Sequence, residues 1–185
     1  MNDNVYHFTT SAQLPWIIDS GELRQSIVKV SDFPNPDFIW ATSDSRGDRT
    51  ATGMMADAYR DGGLMMVRFT LSARDFFPWA SVQSHNASWN NKHVEKLEKI
   101  AKADGVNPAN WWCRDENLDL DKVLIIHWRS YANNTWKVFD GTGLGQVQQG
   151  GGLWRTVELG GKTYASTKVV GPQGQDAFNI GTIDK

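Results

Sequence analysis

The apolar residues of this chain come in short runs separated by glycines, prolines and polar segments, which limits it to short elements of secondary structure. Residues 4–9 (NVYHFT), 38–43 (FIWATS) and 64–72 (LMMVRFTLS) are rich in aromatic or β-branched residues and predict strands. Further strands are predicted at 122–131 and 135–140. Strands that do not alternate regularly with helices are typical of an α+β fold, here a mainly antiparallel split β-sheet core with a few short helices.

The predicted helices are few. Residues 92–105 carry an apolar stripe at helical spacing and end at a glycine, which favours an amphipathic helix. Residues 12–19 predict a short helix, with Ser11 as its N-cap and Gly21 as its stop. A third helix is expected from about residue 50 to residue 60.

Three segments are interpreted from their turn residues and polarity. Residues 141–152 (GTGLGQVQQGGG) are expected to form a mobile loop, and residues 111–121 a polar, aromatic connector. Gly160-Gly161 predicts a tight hairpin turn. With 185 residues, we expect a single domain over 1–185 with a C-terminal hairpin extension at about 153–170.

The composition argues against several classes of binding partner and against a metal site. The formal net charge is -2, so the chain as a whole has no electrostatic attraction to nucleic acid or to an anionic membrane. A signal peptide and a long apolar run are both missing, which predicts a cytoplasmic protein without a membrane partner. Cys113 is the single cysteine and is expected to be buried and inert, and the histidines lack ligand spacing, so no metal is expected.

Two segments contain charged residues suited to a site. Arg46 and Arg49 directly follow a predicted strand, where guanidinium groups match phosphate geometry, although a solvated loop with internal Asp–Arg pairs explains them as well. Asp115 and Glu116 follow two tryptophans and Arg114 and precede a strand. Carboxylates beside aromatic surface can act as acids, bases or charge stabilisers, but a solvated acidic loop has the same composition.

The opening segment YHFTTSAQLPWIIDSGEL resembles the first motif of the ADP-ribosyltransferase superfamily: a strand with an inward histidine, a threonine, a short helix and then Ser-Gly-x-Leu. FIWATSD resembles the second motif, in which an aromatic or small residue and a hydroxyl residue line the nicotinamide cleft. CRDENLDLDKVLIIHW is similar to the third motif, an acidic residue at the edge of a core strand. The resemblance covers roughly residues 4–131, and it lacks the Gln-x-Glu or Glu-x-Glu pair of that superfamily.

The resemblance implies an ADP-ribosyltransferase-like fold and NAD as a substrate. His7 and Thr9, which strand periodicity places on one face, are implied to hold the adenosine ribose. The resemblance further implies contacts to the other parts of NAD. Trp40 or Tyr59, together with Thr42, is implied to contact the nicotinamide, and Arg46 or Arg49 is implied to bind the diphosphate. Glu116, with Arg49, is the implied catalytic pair, and Asp115 remains an alternative to Glu116.

The resemblance implies that the protein transfers ADP-ribose from NAD to a macromolecular or small-molecule acceptor. It does not specify which protein or nucleic acid is the acceptor. One alternative is an RNA 2′-phosphotransferase of the same superfamily. The other is a module of this fold that binds a nucleotide or a protein without turnover. Residues 73–91 and 141–152, long irregular segments by sequence, are expected to carry specificity.

Overall fold

The structure is a computed structural model, which describes residues 3–26, 32–34, 38–47, 56–170 and 176–183. The chain forms two compact units. The first comprises Met1–Phe8, Leu23–Gly53 and Thr70–Leu124, and the second comprises Thr9–Glu22, Met54–Phe69 and Ile125–Lys185. The chain is mixed α and β with mainly antiparallel strand pairs and short helices, which confirms the predicted fold class at that level.

The first unit contains short strands and two α-helices. In chain order they are β1 (Asn4–Thr10, as far as Phe8), β2 (Glu22–Leu23, from Leu23), β3 (Ile39–Thr42), β4 (Met66–Ser72, from Thr70), β5 (Phe77–Pro78), α3 (Val82–His85), α4 (Asn91–Ala103), β6 (Trp111–Arg114) and β7 (Leu118–Asp119). Neighbouring strands follow the order β5-β6-β3-β1-β4, and β2 pairs with β7. The predicted helix at 92–105 is confirmed, with an N-cap at Asn90 whose side chain accepts from the His93 N–H.

The core of the first unit is a cluster of aromatic rings. Trp89 is 2% exposed and stacks on Phe38 with ring centroids 5.6 Å apart. Trp79 and Trp111 lie edge-on to each other at 5.7 Å. Buried aromatic rings of this size dominate the stabilisation of a small core, and edge-on pairs add to it. The segment 73–91, expected to carry specificity, therefore contributes Trp79 and Trp89 to the packed core.

The second unit carries the remaining elements. They are α1 (Leu14–Ser20), α2 (Ala56–Arg60), β8 (Ile125–Arg129), β9 (Lys137–Val138), β10 (Leu144–Gln149), β11 (Gly152–Leu159), β12 (Lys162–Val170) and β13 (Asp176–Ile183), with the ends of β1 and β4 that fall in this unit. β4, β8 and β9 are neighbours in that order, and β10-β11-β12-β13 form a separate antiparallel sheet. The hairpin at 153–170 is present as β11 and β12, joined at Gly160-Gly161.

Two segments that the sequence predicts to be irregular contain strands instead. Residues 141–152 were expected to be a mobile loop, but Leu144–Gln149 pairs with β11 along its whole length. The glycines with positive φ lie in the turns on either side, at Gly141, Gly143, Gly150 and Gly151, so glycine content marked the turns and not a loop. Residues 111–121 were expected to be a connector, but Trp111–Arg114 pairs with β3.

Smaller differences concern the ends of elements. Helix α1 begins at Leu14 with Gln13 at its N-cap, so the predicted N-cap at Ser11 is wrong. Ser11 instead exchanges hydrogen bonds with Met65: its N–H donates to the Met65 carbonyl at 2.9 Å, and its hydroxyl accepts from the Met65 N–H at 3.0 Å. Of the helix expected at about 50–60, Ala56–Arg60 is α2, and the earlier part lies outside the described residues.

The hairpin turn gives a matched test of packing. Gly160 and Gly161 both have positive φ, 63° and 81°, but a Cβ on Gly160 would lie 2.9 Å from Cη2 of Trp128, whereas one on Gly161 would meet nothing within 4 Å. We expect Gly161→Ala to lower the free energy of unfolding by about 1 kcal/mol through backbone strain. Gly160→Ala should cost about 2–4 kcal/mol because overpacking adds to that strain. Urea unfolding with unchanged m-values measures both, and equal losses would contradict the packing at Trp128.

Candidate functional site

The candidate site of the first unit lies on β1 and β3, the two strands that carry the histidine and tryptophan motifs. These strands pair antiparallel, with Tyr6 opposite Thr42. The half-buried His7 imidazole places Nδ1 2.8 Å from the backbone carbonyl oxygen of Trp40. A carbonyl oxygen can only accept, so Nδ1 carries a proton and donates it. The structure therefore brings the His7 side chain to the backbone of Trp40, a contact that the sequence did not predict.

The protonation state of His7 follows from its surroundings. Burial lowers the pKa of the His7 imidazole, and the hydrogen bond to the Trp40 carbonyl opposes this without cancelling it. His7 is consequently neutral at physiological pH, with its proton on Nδ1 and Nε2 in the acceptor state. A neutral imidazole of fixed tautomer is suited to receiving a hydrogen bond from a ligand hydroxyl.

Trp40 itself belongs to the aromatic core of the first unit. Its ring is half-buried and lies 5.3 Å from the Trp79 ring and 5.8 Å from the Trp111 ring. The indole is thus held by neighbouring rings, and its exposed part is the surface that a planar ligand could meet. A half-buried tryptophan at a core edge suits such a contact, since its position is fixed before a ligand arrives.

A chain of local hydrogen bonds fixes the turn after β3. Thr42 is fully buried, and its hydroxyl accepts from the Asp44 N–H at 3.1 Å. The Asp44 carboxylate accepts from the N–H of Arg46 at 2.9 Å and from its Nε at 3.3 Å. Burial tends to raise the pKa of Asp44, but the hydrogen bonds and charge of Arg46 outweigh this, so the pKa is lowered. The Arg46 side chain is 85% exposed, so its ion pair with Asp44 contributes little to stability.

Glu116 follows β6 at a different part of the same unit. Its side chain is 77% exposed, and its carboxylate lies 3.2 Å from Nη2 of Arg114. Arg114 is fixed in turn, because its Nη1 donates to the Asp75 carbonyl at 2.9 Å. Arg114 pairs with Ile39 whereas Thr42 pairs with Trp111, so Glu116 follows the end of β6 that is farther from Thr42. Those two ends are about 10 Å apart along the strand, since each residue advances about 3.3 Å.

The remaining predicted site residues are placed as follows. Thr9 and Tyr59 lie in the second unit, and both are buried, at 9% and 8% exposure. Tyr59 packs edge-on against Tyr131 with ring centroids 5.5 Å apart. Burial raises the pKa of Tyr59, and the charge and hydrogen bond of Arg129 partly offset this. Arg49, assigned to the diphosphate and to catalysis, lies outside the described residues.

The second unit also contains a cationic cluster that the sequence reasoning missed. The Cζ atoms of Arg68 and Arg129 lie 4.3 Å and 4.4 Å from the centroid of the Trp136 ring. His127 lies 6.4 Å from the same ring. The sequence signal was an arginine inside an apolar strand, LMMVRFTLS for Arg68 and LIIHWRSY for Arg129. Charged side chains are rarely buried without a purpose, so this signal was available from burial preference alone.

An open groove of about 260 Å³ lies elsewhere in the second unit, lined by residues of α1, β10 and β11: Pro15, Ile18, Asp19, Leu144, Gly145, Gln146 and Arg155. Its charged groups neutralise each other, because Nη2 of Arg155 lies 2.6 Å from the Asp19 carboxylate. A second Arg155 nitrogen donates to Gln146 Oε1 at 3.0 Å. The two charged side chains of the groove are therefore paired with each other.

Comparison with known proteins gives no assignment: no family model matches the chain, and neither does any curated protein or solved structure. Within the described part of the chain, no helix is long and apolar enough to cross a membrane. The described residues likewise contain no group of three or more histidine, cysteine or acidic side chains arranged to hold a metal ion. Cys113 is buried, as the sequence predicted.

The His7 hydrogen bond predicts a tautomer and a titration. We expect the neutral imidazole to carry its proton on Nδ1 and to titrate below the ordinary value of about 6.5. Because the unfolded chain then binds more protons than the native one, His7 adds stability above pH of about 6.5, and this is lost as pH falls through the lowered folded-state pKa. Long-range ¹H–¹⁵N spectra across pH measure both properties. A neutral form protonated at Nε2 would contradict the Trp40 hydrogen bond.

Proposed function

We propose that this chain has an ADP-ribosyltransferase-like fold and acts as an enzyme. It binds NAD and transfers ADP-ribose to a macromolecular or small-molecule acceptor. The observation that carries the proposal is the 2.8 Å hydrogen bond between His7 Nδ1 and the Trp40 carbonyl. It joins the two strands whose sequences resemble the first and second motifs of that superfamily. Burial keeps the imidazole neutral, and the proton on Nδ1 makes Nε2 its acceptor nitrogen.

In this proposal β1 and the segment around β3 bind NAD. His7 accepts a hydrogen bond from a hydroxyl of the adenosine ribose, and the exposed part of Trp40 contacts the nicotinamide. Arg46 supports the diphosphate, because its guanidinium is exposed on the turn after β3 and matches phosphate geometry. Thr42 acts indirectly, since its buried hydroxyl fixes the Asp44 backbone and thereby the turn that carries Arg46.

Glu116 is the proposed catalytic carboxylate. Cleavage of the bond between nicotinamide and ribose develops positive charge on the ribose, and a nearby carboxylate stabilises that charge and orients the 2′-hydroxyl. Arg114 holds the Glu116 carboxylate at 3.2 Å and is itself anchored on Asp75. A substrate that contacts both His7 on β1 and Glu116 after β6 must reach across β3, which lies between these two strands.

Three variants test this assignment. With NAD, the wild type should release nicotinamide and increase the mass of an acceptor. Glu116→Gln should lower kcat by about a hundredfold or more, because it removes charge stabilisation while preserving shape. His7→Ala should mainly weaken NAD binding, by about tenfold, since it removes one hydrogen bond. Asp115→Asn is the matched control, a neighbouring exposed carboxylate that should leave turnover unchanged.

The outcomes separate the alternatives. NAD binding without nicotinamide release would favour a binding module of this fold, and activity on 2′-phosphorylated RNA would favour the phosphotransferase. Equal loss of turnover in Asp115→Asn and Glu116→Gln would remove the specific role of Glu116. The absence of any NAD binding, measured by isothermal titration, would overturn the proposal.

A further inference from the structure

The strand β10 forms one edge of the separate sheet of the second unit, whose strands follow the order β10-β11-β12-β13. All of its residues are exposed, although it pairs with β11 along its whole length without a bulge. Its sequence, LGQVQQ, contains no charged residue and no proline. Natural edge strands usually carry such residues or a bulge, because an unprotected edge offers its backbone to another strand. The β10 edge therefore lacks the usual protection against pairing with a second strand.

The pairing with β11 determines which backbone groups of β10 point outward. The Glu158 N–H donates to the Gly143 carbonyl at 2.9 Å, so these opposed residues form a hydrogen-bonded pair. Such pairs alternate along an antiparallel ladder, so the backbone groups of Gly145 and of every second residue after it face β11. The residues between them turn their N–H and carbonyl groups outward, and these are Leu144, Gln146 and Gln148. Within the described part of the chain, the outward groups have no hydrogen-bond partner.

An edge of this kind can pair with an identical copy of itself. When two β10 strands run antiparallel about a two-fold axis at Gln146, each Gln146 lies opposite its counterpart. Leu144 then lies opposite Gln148 of the second copy, and every outward N–H meets an outward carbonyl group. An axis at any other residue of β10 leaves some of these outward groups unpaired, so the register centred on Gln146 satisfies the most backbone groups.

The side chains of β10 also fit this register. On one face of the sheet, Gly145 lies opposite Val147 of the second copy, so the missing side chain of the glycine makes room for the valine. Opposed side chains lie closest at such a non-hydrogen-bonded position. Val147 is 37% exposed, so the pairing removes apolar surface from water. Because β10 carries no charge, two identical strands meet without repulsion between like charges.

The other face of the sheet has an open groove beside the same edge. The groove has a volume of about 260 Å³, and residues of α1 line it together with Leu144 and Gln146 of β10. In the register centred on Gln146, Gln148 of the second copy lies opposite Leu144 and can extend its side chain over this groove. Its neutral amide suits a lining whose charged side chains, Asp19 and Arg155, are already paired at 2.6 Å.

We propose that β10 is the interface of a two-fold symmetric dimer of this chain, in which two β10 strands pair antiparallel and join their four-stranded sheets. The proposal requires neither NAD binding nor Glu116. A single pair of edge strands buries a small area, so the dimer is a weak one that forms at micromolar concentrations. Its specificity comes from the register that the backbone groups and the Gly145–Val147 contact set.

Sedimentation velocity of the full chain measures the association over concentrations from about 1 μM to about 300 μM. We expect a reversible equilibrium between monomer and dimer, with a dissociation constant of about 1–100 μM. Val147→Lys should weaken the dimer by about tenfold or more, because the substitution enters the dimer twice and brings two lysines to diagonal positions across the axis.

Val169→Lys is the matched control, because Val169 is 38% exposed and lies on β12, an inner strand of the same sheet. This variant should associate as the wild type does. A wild-type chain that stays monomeric at about 300 μM would overturn the proposal, whether or not the variants fold. Equal weakening by the two lysine substitutions would overturn it as well, since the edge would then have no specific role.

Amide hydrogen exchange, resolved by residue, locates the interface. As the concentration rises into the range of the dimer, exchange should slow most at the outward N–H groups of Leu144, Gln146 and Gln148. It should change less at Gly145 and Val147, whose N–H groups face β11 in both states. A dimer with unaltered exchange along β10 would contradict the proposed interface. Species larger than a dimer would also contradict it, because they indicate pairing of β10 with the opposite edge, β13, of another copy.

Discussion

The pairing of β1 with β3 determines the candidate site, because it brings a side chain of one strand to the backbone of the other. Tyr6 lies opposite Thr42, and the His7 imidazole donates to the Trp40 carbonyl. A shift of the register by one residue would turn His7 to the other face of β1 and break this bond. On its other side β3 is fixed against β6, because Trp40 and Trp111 are packed against each other.

The cations of this chain differ in how strongly their surroundings hold them. Arg46 is exposed and bound to a carboxylate two residues away, so its present ion pair contributes little to stability. Arg114 is anchored to a backbone carbonyl and to Glu116, which makes it a support for that carboxylate. Arg68 and Arg129 are stacked on an indole within an apolar sheet. Arginine thus occurs here as an exposed partner of a nearby carboxylate, as an anchored support for Glu116, and as a charge stacked on an indole. Only the structure distinguishes these three settings.

The sequence predicted those helices and turns that are determined by their own residues rather than by pairing with distant parts of the chain. The helix at 92–105 has an apolar stripe and a stop, and Gly160-Gly161 demands a hairpin turn, so both were predictable. Strand β10 was missed because it is rich in glutamine and flanked by glycines, and β6 because its two tryptophans precede a polar segment. Pairing with β11 and β3 stabilises these two strands. The motifs singled out His7 and Trp40 as candidates, but the hydrogen bond between them was not predicted. Arg68 and Arg129 could be noticed as arginines within apolar strands, but their contact with Trp136 could not be predicted, because Arg68 and Trp136 are far apart in sequence and meet only through tertiary packing.

The account depends on His7 being a residue that meets a ligand, not merely a buried histidine with one hydrogen bond. The most direct test is the ¹⁵N resonances of the His7 imidazole during a titration with NAD. The account predicts that Nε2 shifts as NAD saturates the protein while Nδ1 stays protonated and bound to the Trp40 carbonyl. Unchanged His7 resonances at saturating NAD would contradict it.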